Sequence, residues 1–350
     1  MVSWPPHQLA VRGSIPRRST LVFDIDFDVY IMSIKLVGWR MPLHPEIKNR
    51  PQGRFLSYNN EAQFMENKNL ITKPWPDYEI LDSGSDRKLE RWGNHVLIRP
   101  ETQAIWEPRH PELWRDAHAE FRFVGAKGVW KNEGVPESWE LAWHDARFSA
   151  RLGSFKHLGV FPEQAINWEW AENCVKKLHQ PKVLNLFGYT GVASIVAAKA
   201  GAEVTHVDAS KQSNVWAKEN AELSGLPAGA IRFLEDDALK FVLREVRRGA
   251  EYDGIILDPP SFGRGPANEV WRIEEHLPHL LKEIEKIFSK KPGSFFLLNG
   301  YAAGYSPTSF LQTVTEIFPD ARGEFGELQI AEANSGRVIP SGIYVRFARD

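Results

Sequence analysis

The sequence predicts an α/β fold in which a parallel sheet, with a helix after each strand, follows a smaller β-rich domain. Five short apolar runs alternate with five helical segments, a pattern typical of parallel sheets. The helical segments are 192–199, 211–224, 238–247, 270–289 and 307–318. No helix separates the last two runs, 325–330 and 343–347, which predicts seven strands with an antiparallel last pair. We expect an extension (1–50), a β-rich domain with a leading linker (51–150) and the sheet domain (151–350).

The first strand of the sheet domain, 182–186, leads into a tight turn bracketed by Gly188 and Gly191. Glycine adopts unusual dihedrals and lets a ligand approach the backbone, and the amides that begin the next helix point toward the turn. Dinucleotide sites prefer G-x-G-x-x-G, whereas these two glycines are three residues apart. The spacing disfavours NAD and favours a nucleoside that carries an amino-acid tail. The alternative is an ordinary strand–helix turn.

Acidic residues end the next two strands. Asp208 closes the run 203–208, and its carboxylate can accept hydrogen bonds from both hydroxyls of a ribose; a solvated strand end is the alternative. Asp236 and Asp237 follow the strand 231–235. Asp236 fits ligand binding and an N-cap of the next helix equally well. For Asp237 we favour ligand binding, with the carboxylate accepting from an adenine amine.

A nearly continuous apolar run, 252–257, is typical of a central parallel strand and ends in Asp258-Pro-Pro-Ser261. The prolines fix the backbone, so that the Asp258 carboxylate and the Pro259 carbonyl can point into one pocket and hold an exocyclic amine. The alternative is that Pro-Pro only stops the strand. The Gly- and Pro-rich stretch 261–268, which carries Arg264, is predicted to be a mobile lid.

Together these motifs resemble the class I S-adenosylmethionine-dependent methyltransferases, in particular the bacterial family of ribosomal RNA cytosine-C5 and guanine-N2 methyltransferases. The resemblance covers about residues 75–350 and rests on Leu186-Phe-Gly-Tyr-Thr-Gly191, Asp208-Ala-Ser210, Asp236-Asp-Ala238 and Asp258-Pro-Pro-Ser-Phe262. It implies the class I methyltransferase Rossmann-like sheet and S-adenosyl-L-methionine as cofactor. The cofactor-binding residues expected from these motifs are Phe187, Gly188, Tyr189, Gly191, Asp208, Ser210, Asp236 and Asp237.

A further segment, 156–164, resembles the part of the family that lines the methionine end of the cofactor. The resemblance makes Phe161, Glu163 and Gln164 candidate contacts. The family usually has Asp-Gln-Arg here, whereas this chain has Glu163-Gln-Ala165. The cofactor carboxylate then needs another partner, which the sequence offers in Lys156 or in the amides of the glycine turn.

Cysteine usage separates the chemistries of this family. Methylation at cytosine C5 needs a thiolate that adds to the ring, and the family's C5 enzymes carry it after the fifth strand. Here the fifth strand, 294–299, is followed by a segment without cysteine, and the only cysteine, Cys174, lies on the helical stretch before the glycine turn. We therefore expect a nitrogen acceptor, oriented by Asp258 and Pro259. Phe262 is a candidate to stack on the base or, equally, a core residue.

Composition favours a cytoplasmic enzyme. No apolar run approaches the roughly 18 residues that cross a bilayer, and one cysteine in 350 residues excludes a disulfide framework. Because no apolar run is long enough, we expect no membrane partner. We also expect no metal, because the histidines are scattered; His276 and His279 are typical of a helix surface. Residues 1–50 fit a targeting segment or, preferably, a start codon assigned too early, with Met32 or Met41 as the initiator.

The amino-terminal domain shows short alternating runs after a weakly structured linker, 51–74. The runs are 78–81, 91–98, 104–106, 129–130 and 139–144. Nine of the 13 tryptophans lie in or near this domain and fit either a small core or a base-stacking platform; we favour the core. Residues 76–150 carry ten Lys/Arg against 14 Asp/Glu, which is not the basic footprint of a nucleic-acid binder.

The leading hypothesis is methylation of an RNA base, with ribosomal RNA as the expected partner. Its alternatives are methylation of a protein side chain or small molecule, and a non-catalytic cofactor-binding module.

Overall fold

The computed structural model describes residues 65–125, 127–301 and 304–350, which belong to one compact unit, Glu61–Asp350. The predicted extension 1–50, with Met32 and Met41, lies outside the described residues. Within the described ranges, no helix is both long and apolar enough to cross a membrane.

The described chain contains 18 strands and six helices. The first strands are β1 (Met65–Asn67), β2 (Leu70–Thr72), β3 (Tyr78–Gly84), β4 (Arg87–Trp92), β5 (His95–Pro100), β6 (Ala119–Val124), β7 (Lys127–Asn132), β8 (Ser138–Trp143) and β9 (Ala146–Arg151). The later strands are β10 (Lys182–Leu186), β11 (Glu203–Asp208), β12 (Ile231–Glu235), β13 (Gly254–Leu257), β14 (Phe262–Arg264), β15 (Val270–Arg272), β16 (Phe295–Gly300), β17 (Gly323–Ala331) and β18 (Val338–Ala348). The helices are α1 (Ala165–Lys176), α2 (Val192–Lys199), α3 (Lys211–Leu223), α4 (Ala238–Arg248), α5 (Ile273–Glu285) and α6 (Pro307–Ile317).

The main sheet confirms the predicted fold class. Strands β12, β11, β10, β13 and β16 lie side by side and parallel, in that order. Strand β18 is antiparallel to β16 and to β17, as expected for the last pair. The sheet has nine strands rather than seven, because β1 and β2 each pair in parallel with β17.

The two added strands correct the prediction of a weakly structured linker over 51–74 for its second part, 65–74; residues 51–64 lie outside the described residues. Each has only three residues, too few to show a periodicity, yet Met65, Leu70 and Thr72 are buried. They cover the outer edge of β17, whose backbone N–H and C=O groups would otherwise lack partners. The contact that orders this segment therefore lies more than 250 residues away in the sequence.

The two faces of the main sheet are covered by different helices, because alternate side chains of each strand point to opposite faces. Ile256 of β13 belongs to the core on one face, where α1 and α2 pack. Its neighbours Ile255 and Leu257 belong to the core on the other face, with α4, α5 and α6. This arrangement places the carboxyl ends of all five parallel strands at one edge.

The amino-terminal part forms a five-stranded sheet, β3-β4-β5-β6-β7, and a hairpin, β8–β9. The single run predicted over 91–98 is two strands, β4 and β5, that reverse direction at Gly93, where φ is +60°. The predicted run 104–106 is not a strand. Strand β9 contacts the sheet domain, where the Asn220 side-chain oxygen of α3 accepts a hydrogen bond from the Ser149 backbone N–H at 2.9 Å.

The tryptophans support the core interpretation over a stacking platform. Trp92, Trp143 and Trp168 are buried in the core on the β9 side of the sheet. Five others are partly buried against the same core: Trp75, Trp106, Trp130, Trp139 and Trp170. Trp114 is half-buried and donates its indole N–H to Asp82.

After the Pro-Pro motif, the structure adds a hairpin and corrects one helix boundary, while the mobility of the lid stays a prediction. The predicted lid contains β14, which pairs with β15 in an antiparallel hairpin. The predicted helix over 270–289 therefore begins at Ile273, because its first three residues form β15. Trp271 links the hairpin to the Pro-Pro motif, because its indole N–H donates to the Pro260 carbonyl at 2.7 Å.

A buried ion pair links β4 and β5. The Arg99 guanidinium donates to both carboxylate oxygens of Glu90, at 2.6 and 2.9 Å, and both side chains are buried. The hydroxyl of Tyr78 also donates to Glu90, at 2.7 Å, and Lys88 lies 3.6 Å from it. Burial raises the pKa of Glu90, but the charges of Arg99 and Lys88 outweigh it and lower that pKa to about 2.

We predict that Glu90→Gln lowers the free energy of unfolding by about 3–5 kcal/mol, because it leaves Arg99 buried without its counter-charge. The matched control is Glu79→Gln, which removes the partly exposed pair with Arg91 and should cost less than about 1 kcal/mol. Urea unfolding at neutral pH measures both. Equal losses in the two variants would contradict this assignment.

The same pair gives a pH dependence. The pKa of Glu90 is about 2 in the folded protein and 4.5 without these neighbours, so its contribution is present above pH 4.5 and lost as pH falls toward 2. Wild-type stability should therefore fall more steeply than that of Glu90→Gln across this range.

Candidate active site

The candidate site lies where the parallel strands end. Strands β10, β11 and β13 are neighbours, so the glycine turn, Asp208 and Asp258 meet at one edge of the sheet. Ligands of open α/β sheets bind at this edge. The sequence prediction that these three motifs come together is consistent with this topology.

The glycine turn has an unusual backbone. Phe187, Tyr189 and Gly191 have φ values of +57°, +49° and +83°, in the left-handed region. At Gly188 the reason for glycine is a close approach, since a Cβ there would lie 2.3 Å from the His206 ring. Gly191 is the N-cap of α2, whose first amides have no acceptor within the helix. The turn therefore offers backbone donors at a surface where a ligand can come close.

A buried polar network supports the turn from below. The Asn185 amide donates to the Ser194 hydroxyl at 2.8 Å, and that hydroxyl is hydrogen-bonded to His206 Nδ1 at 2.9 Å. Burial lowers the pKa of His206 to about 3, so the ring is neutral at physiological pH. The sequence pattern does not predict this network, although His206 lies two residues before Asp208 in β11.

Asp208 holds the turn from the side. Its carboxylate accepts from the backbone N–H groups of Tyr189 and Ser210, both at 2.8 Å. Burial raises the pKa of Asp208 above its ordinary value, against these two N–H groups, which lower it. A carboxylate has about four acceptor positions, so two stay available for ribose hydroxyls.

The roles of the other strand-end residues differ from those predicted. Asp237, favoured as an adenine acceptor, is the N-cap of α4 and accepts from the Lys240 N–H at 2.9 Å. Asp236 instead pairs with Arg244 and accepts from the N–H of Asp237. The predicted helix start, Ala238, is correct, and an N-cap directly precedes its helix, so the cap belongs to Asp237 and not to Asp236; Asp236 stays a candidate ligand. Ser210 is the N-cap of α3.

Asp258 lines a cavity at the glycine turn. Its other walls include Asn185, Phe187, Gly188, Tyr189 and Asn299. Burial and the nearby Glu163 carboxylate raise the pKa of Asp258 to about 7. The carboxyl group can therefore accept a proton or a hydrogen bond from a neutral amine near physiological pH. Pro259 is buried and does not line this cavity. Of the two proline carbonyls, that of Pro260 accepts a side-chain hydrogen bond, from the Trp271 indole N–H.

The upstream segment reaches the same place. Phe161 and Gln164 line the cavity with Asp258, and their contact with the methionine end of the cofactor stays a prediction. Glu163 lies behind them, buried, and accepts from the hydroxyl of Tyr301 at 3.0 Å. Burial raises the pKa of Glu163. Tyr301 and Asn299 were missed as site residues; the only sequence signal for them is their position at the end of the fifth strand.

Phe262 does not join this group. Its side chain is 55% exposed on β14. It lines neither the Asp258 cavity nor a second cavity that lies beside it. The alternative of a core phenylalanine is thus wrong, and its role as a stacking platform stays a prediction.

The donor set fits S-adenosylmethionine. Asp208 supplies acceptors for ribose hydroxyls, the glycine turn and the start of α2 supply N–H donors, and the cavity supplies Asn299, Gln164 and aromatic walls. Close approach to the backbone is possible because Gly188 has no side chain. Among the described residues no group of three or more His, Cys, Asp or Glu could hold a metal ion.

Comparison with known proteins indicates the same cofactor. The family model of the S-adenosylmethionine-dependent methyltransferases matches residues 116–306, more than half of the chain. A crystal structure of such an enzyme from Agrobacterium tumefaciens is 41% identical, covers 82% of this chain and 96% of its own, and has a TM-score of 0.76. A structure from Streptococcus mutans, named as an S-adenosylmethionine-dependent methyltransferase, is 18% identical and covers 77% of this chain and 75% of its own. Its TM-score is 0.58, which shows a similar fold.

Two curated relatives act on ribosomal RNA according to their names. Ribosomal RNA large subunit methyltransferase I of Aeromonas salmonicida is 32% identical over 47% of this chain. Methyltransferase K/L of a Shewanella species is 34% identical over 36% of it. The matches span 42% and 18% of these relatives' own lengths, so this chain corresponds to only a part of each. The matched family model and the Agrobacterium structure place the chain in the S-adenosylmethionine-dependent methyltransferase family.

Proposed function

We propose that this methyltransferase methylates a nitrogen atom of an RNA base, with Asp258 orienting the acceptor amine. The observation that carries the proposal is the Asp258 carboxyl group, which lines the cavity at the glycine turn and has a pKa of about 7. The names of the relatives support ribosomal RNA as the acceptor.

When bound, S-adenosylmethionine supplies an electrophilic methyl group on a sulfonium. An amine needs little more than positioning to attack it, because its nitrogen already carries a lone pair. The Asp258 carboxylate can accept a hydrogen bond from one N–H of that amine and then take the proton that the methylated nitrogen releases. Asp208 and the glycine turn hold the cofactor. Phe262 stays a candidate for base stacking, whereas Pro259, which does not line the cavity, does not serve as a second acceptor there.

The position of the only cysteine supports a nitrogen atom rather than a carbon atom as the methyl acceptor. The only thiol of the chain, Cys174, is buried in α1, and burial raises its pKa to about 11. It does not line the Asp258 cavity. A thiol held in its neutral form and away from the acceptor cannot add to a pyrimidine ring.

The acidic balance of residues 76–150, ten Lys/Arg against 14 Asp/Glu, favours a second candidate. In it the same chemistry acts on a protein side chain or a small molecule, since RNA-binding surfaces are usually basic.

The experiment that separates these candidates supplies tritiated S-adenosylmethionine to the purified protein with total RNA, protein extract or small-molecule extract as acceptor. The extracts come from a strain that lacks the enzyme, with nuclease and protease controls. The proposal expects label in nuclease-sensitive material and an N-methylated base after digestion to nucleosides. Label confined to the other extracts would move the second candidate ahead, and a C-methylated base would refute the nitrogen assignment.

We predict that Asp258→Asn lowers kcat by about 10²–10⁴-fold, because an amide cannot take the proton. The dissociation constant of S-adenosylmethionine, measured by calorimetry, should change less than about threefold. Asp253→Asn, at the amino end of the same strand, is the matched control and should retain activity. In the wild type, kcat should rise with pH through about 7, as Asp258 loses its proton. A fully active Asp258→Asn would remove this residue from the reaction.

Asp208→Ala should weaken cofactor binding by about 1–3 kcal/mol, the scale of hydrogen bonds to a charged group. The loss includes the support of the Tyr189 N–H, so Asp208→Asn, which keeps one acceptor oxygen, should bind with intermediate affinity. Calorimetric titration with S-adenosylmethionine gives both constants, and thermal melting verifies folding. If both variants bind like the wild type, Asp208 is not a cofactor ligand.

A further inference from the structure

A second cavity lies beside the Asp258 cavity. Its volume is about 210 Å³, several times the roughly 30 Å³ of a water molecule, so it can hold a group as large as a phosphate. Val160 and Phe161 line both cavities. The walls come from distant parts of the chain: β4 and β5, the segment 156–163, Tyr301, and β17 and β18. We call it the junction cavity.

Aromatic rings form the boundary between the two cavities. The Phe161 ring lies 5.0 Å from the ring of His157 and 5.6 Å from that of Tyr301. It also lies 5.6 Å from the ring of Tyr189 in the glycine turn. A ligand that crosses this boundary meets ring faces in the middle and polar groups at each end.

Three cations line the junction cavity, and two of them have partners. Arg99 is bonded twice to Glu90, and a third N–H donates to the Lys156 carbonyl at 3.0 Å. Lys88 lies 3.2 Å from Glu101 and 3.6 Å from Glu90. Across the described part of the chain, the structure records no ion pair or hydrogen bond for the Lys156 ammonium.

The acidic groups of the cavity are also engaged. Glu101 faces Lys88, Glu163 accepts from Tyr301, and Glu327 accepts from the Gln329 amide at 2.6 Å. Lys156 is half-buried; burial lowers its pKa, and Lys88 and Arg99 lower it further, against Glu101 and Glu163, which raise it. Among the described residues the Lys156 ammonium is thus half-buried and has no direct partner, and a bound anion stabilises such a cation.

We propose that the junction cavity binds a phosphate group of the acceptor, with the Lys156 ammonium as its main ligand. This inference rests on the proposed function, and it specifies the acceptor as a nucleotide. Its amine faces Asp258, and its phosphate lies on the other side of Phe161. The acidic balance of the amino-terminal part then does not oppose an RNA acceptor, because the required cation is supplied locally.

Phosphate binding can be tested without turnover. Calorimetry would compare adenosine, cytidine and guanosine 5′-monophosphates with the parent nucleosides, in wild type, Lys156→Met, Lys156→Arg and the control Lys131→Met. Lys131 is exposed on β7 and lies outside both cavities. We expect at least one monophosphate to bind the wild type tenfold or more tightly than its nucleoside. Lys156→Met should abolish this preference, while Lys156→Arg and Lys131→Met keep it.

Two further readouts separate the possible failures. For RNA that is methylated, Lys156→Met should raise KM about tenfold or more, leave kcat within threefold, and lower the salt slope of log K by about 0.7. Weaker binding of S-adenosylmethionine by Lys156→Met would overturn the inference and assign Lys156 to the cofactor carboxylate. Equal binding of monophosphates and nucleosides, or an unchanged KM, would also overturn it, while label transfer to RNA would leave the proposed function standing.

Discussion

The conformation of the glycine turn is the constraint on which the rest of the site depends. Phe187, Tyr189 and Gly191, within the turn or at its edges, have positive φ. The turn keeps this shape because β11 contacts it twice. His206 fills the space beneath Gly188, and Asp208 accepts the N–H of Tyr189. One strand therefore fixes the turn and also presents the carboxylate expected to bind the ribose. A side chain at position 188 would displace the ring below it, move the turn, and change both halves of the cofactor site together.

The acceptor side depends on a different kind of coupling. Glu163 is buried between the junction cavity and Asp258, and its charge contributes to the raised pKa of Asp258. The segment that carries Glu163 is fixed by the amino-terminal part of the chain, since the hydroxyl of Thr72 donates to the Glu163 carbonyl at 2.9 Å. Strand β2, which lengthens the main sheet, thus also positions a residue expected to tune the proposed proton acceptor. This contact links the region before the methyltransferase sheet to the proposed chemistry as well as to packing.

The sequence predicted those features of the fold and the site that depend on local residue patterns. The alternation of strands and helices and the polar residues at strand ends gave the fold class and brought the glycine turn, Asp208 and Asp258 to one edge. Asp237 shows the limit, because a capping aspartate and a ligand-binding aspartate look alike in sequence when both stand between a strand and a helix. The junction cavity was not predicted: Lys88, Lys156 and Tyr301 are far apart in sequence, and the resemblance of the segment 156–164 pointed to the cofactor rather than to a second cavity. Likewise, β1 and β2 are strands only because the edge of β17 is available to them.

We infer that the turn, Asp208 and Asp258 form one methyl-transfer site. A crystal structure of the protein with S-adenosylhomocysteine, the product that remains after transfer, tests this directly. We expect ribose hydroxyls within hydrogen-bond distance of the Asp208 carboxylate and the sulfur of the ligand facing the Asp258 cavity. A ligand bound elsewhere, or bound here without contact to Asp208, would contradict it.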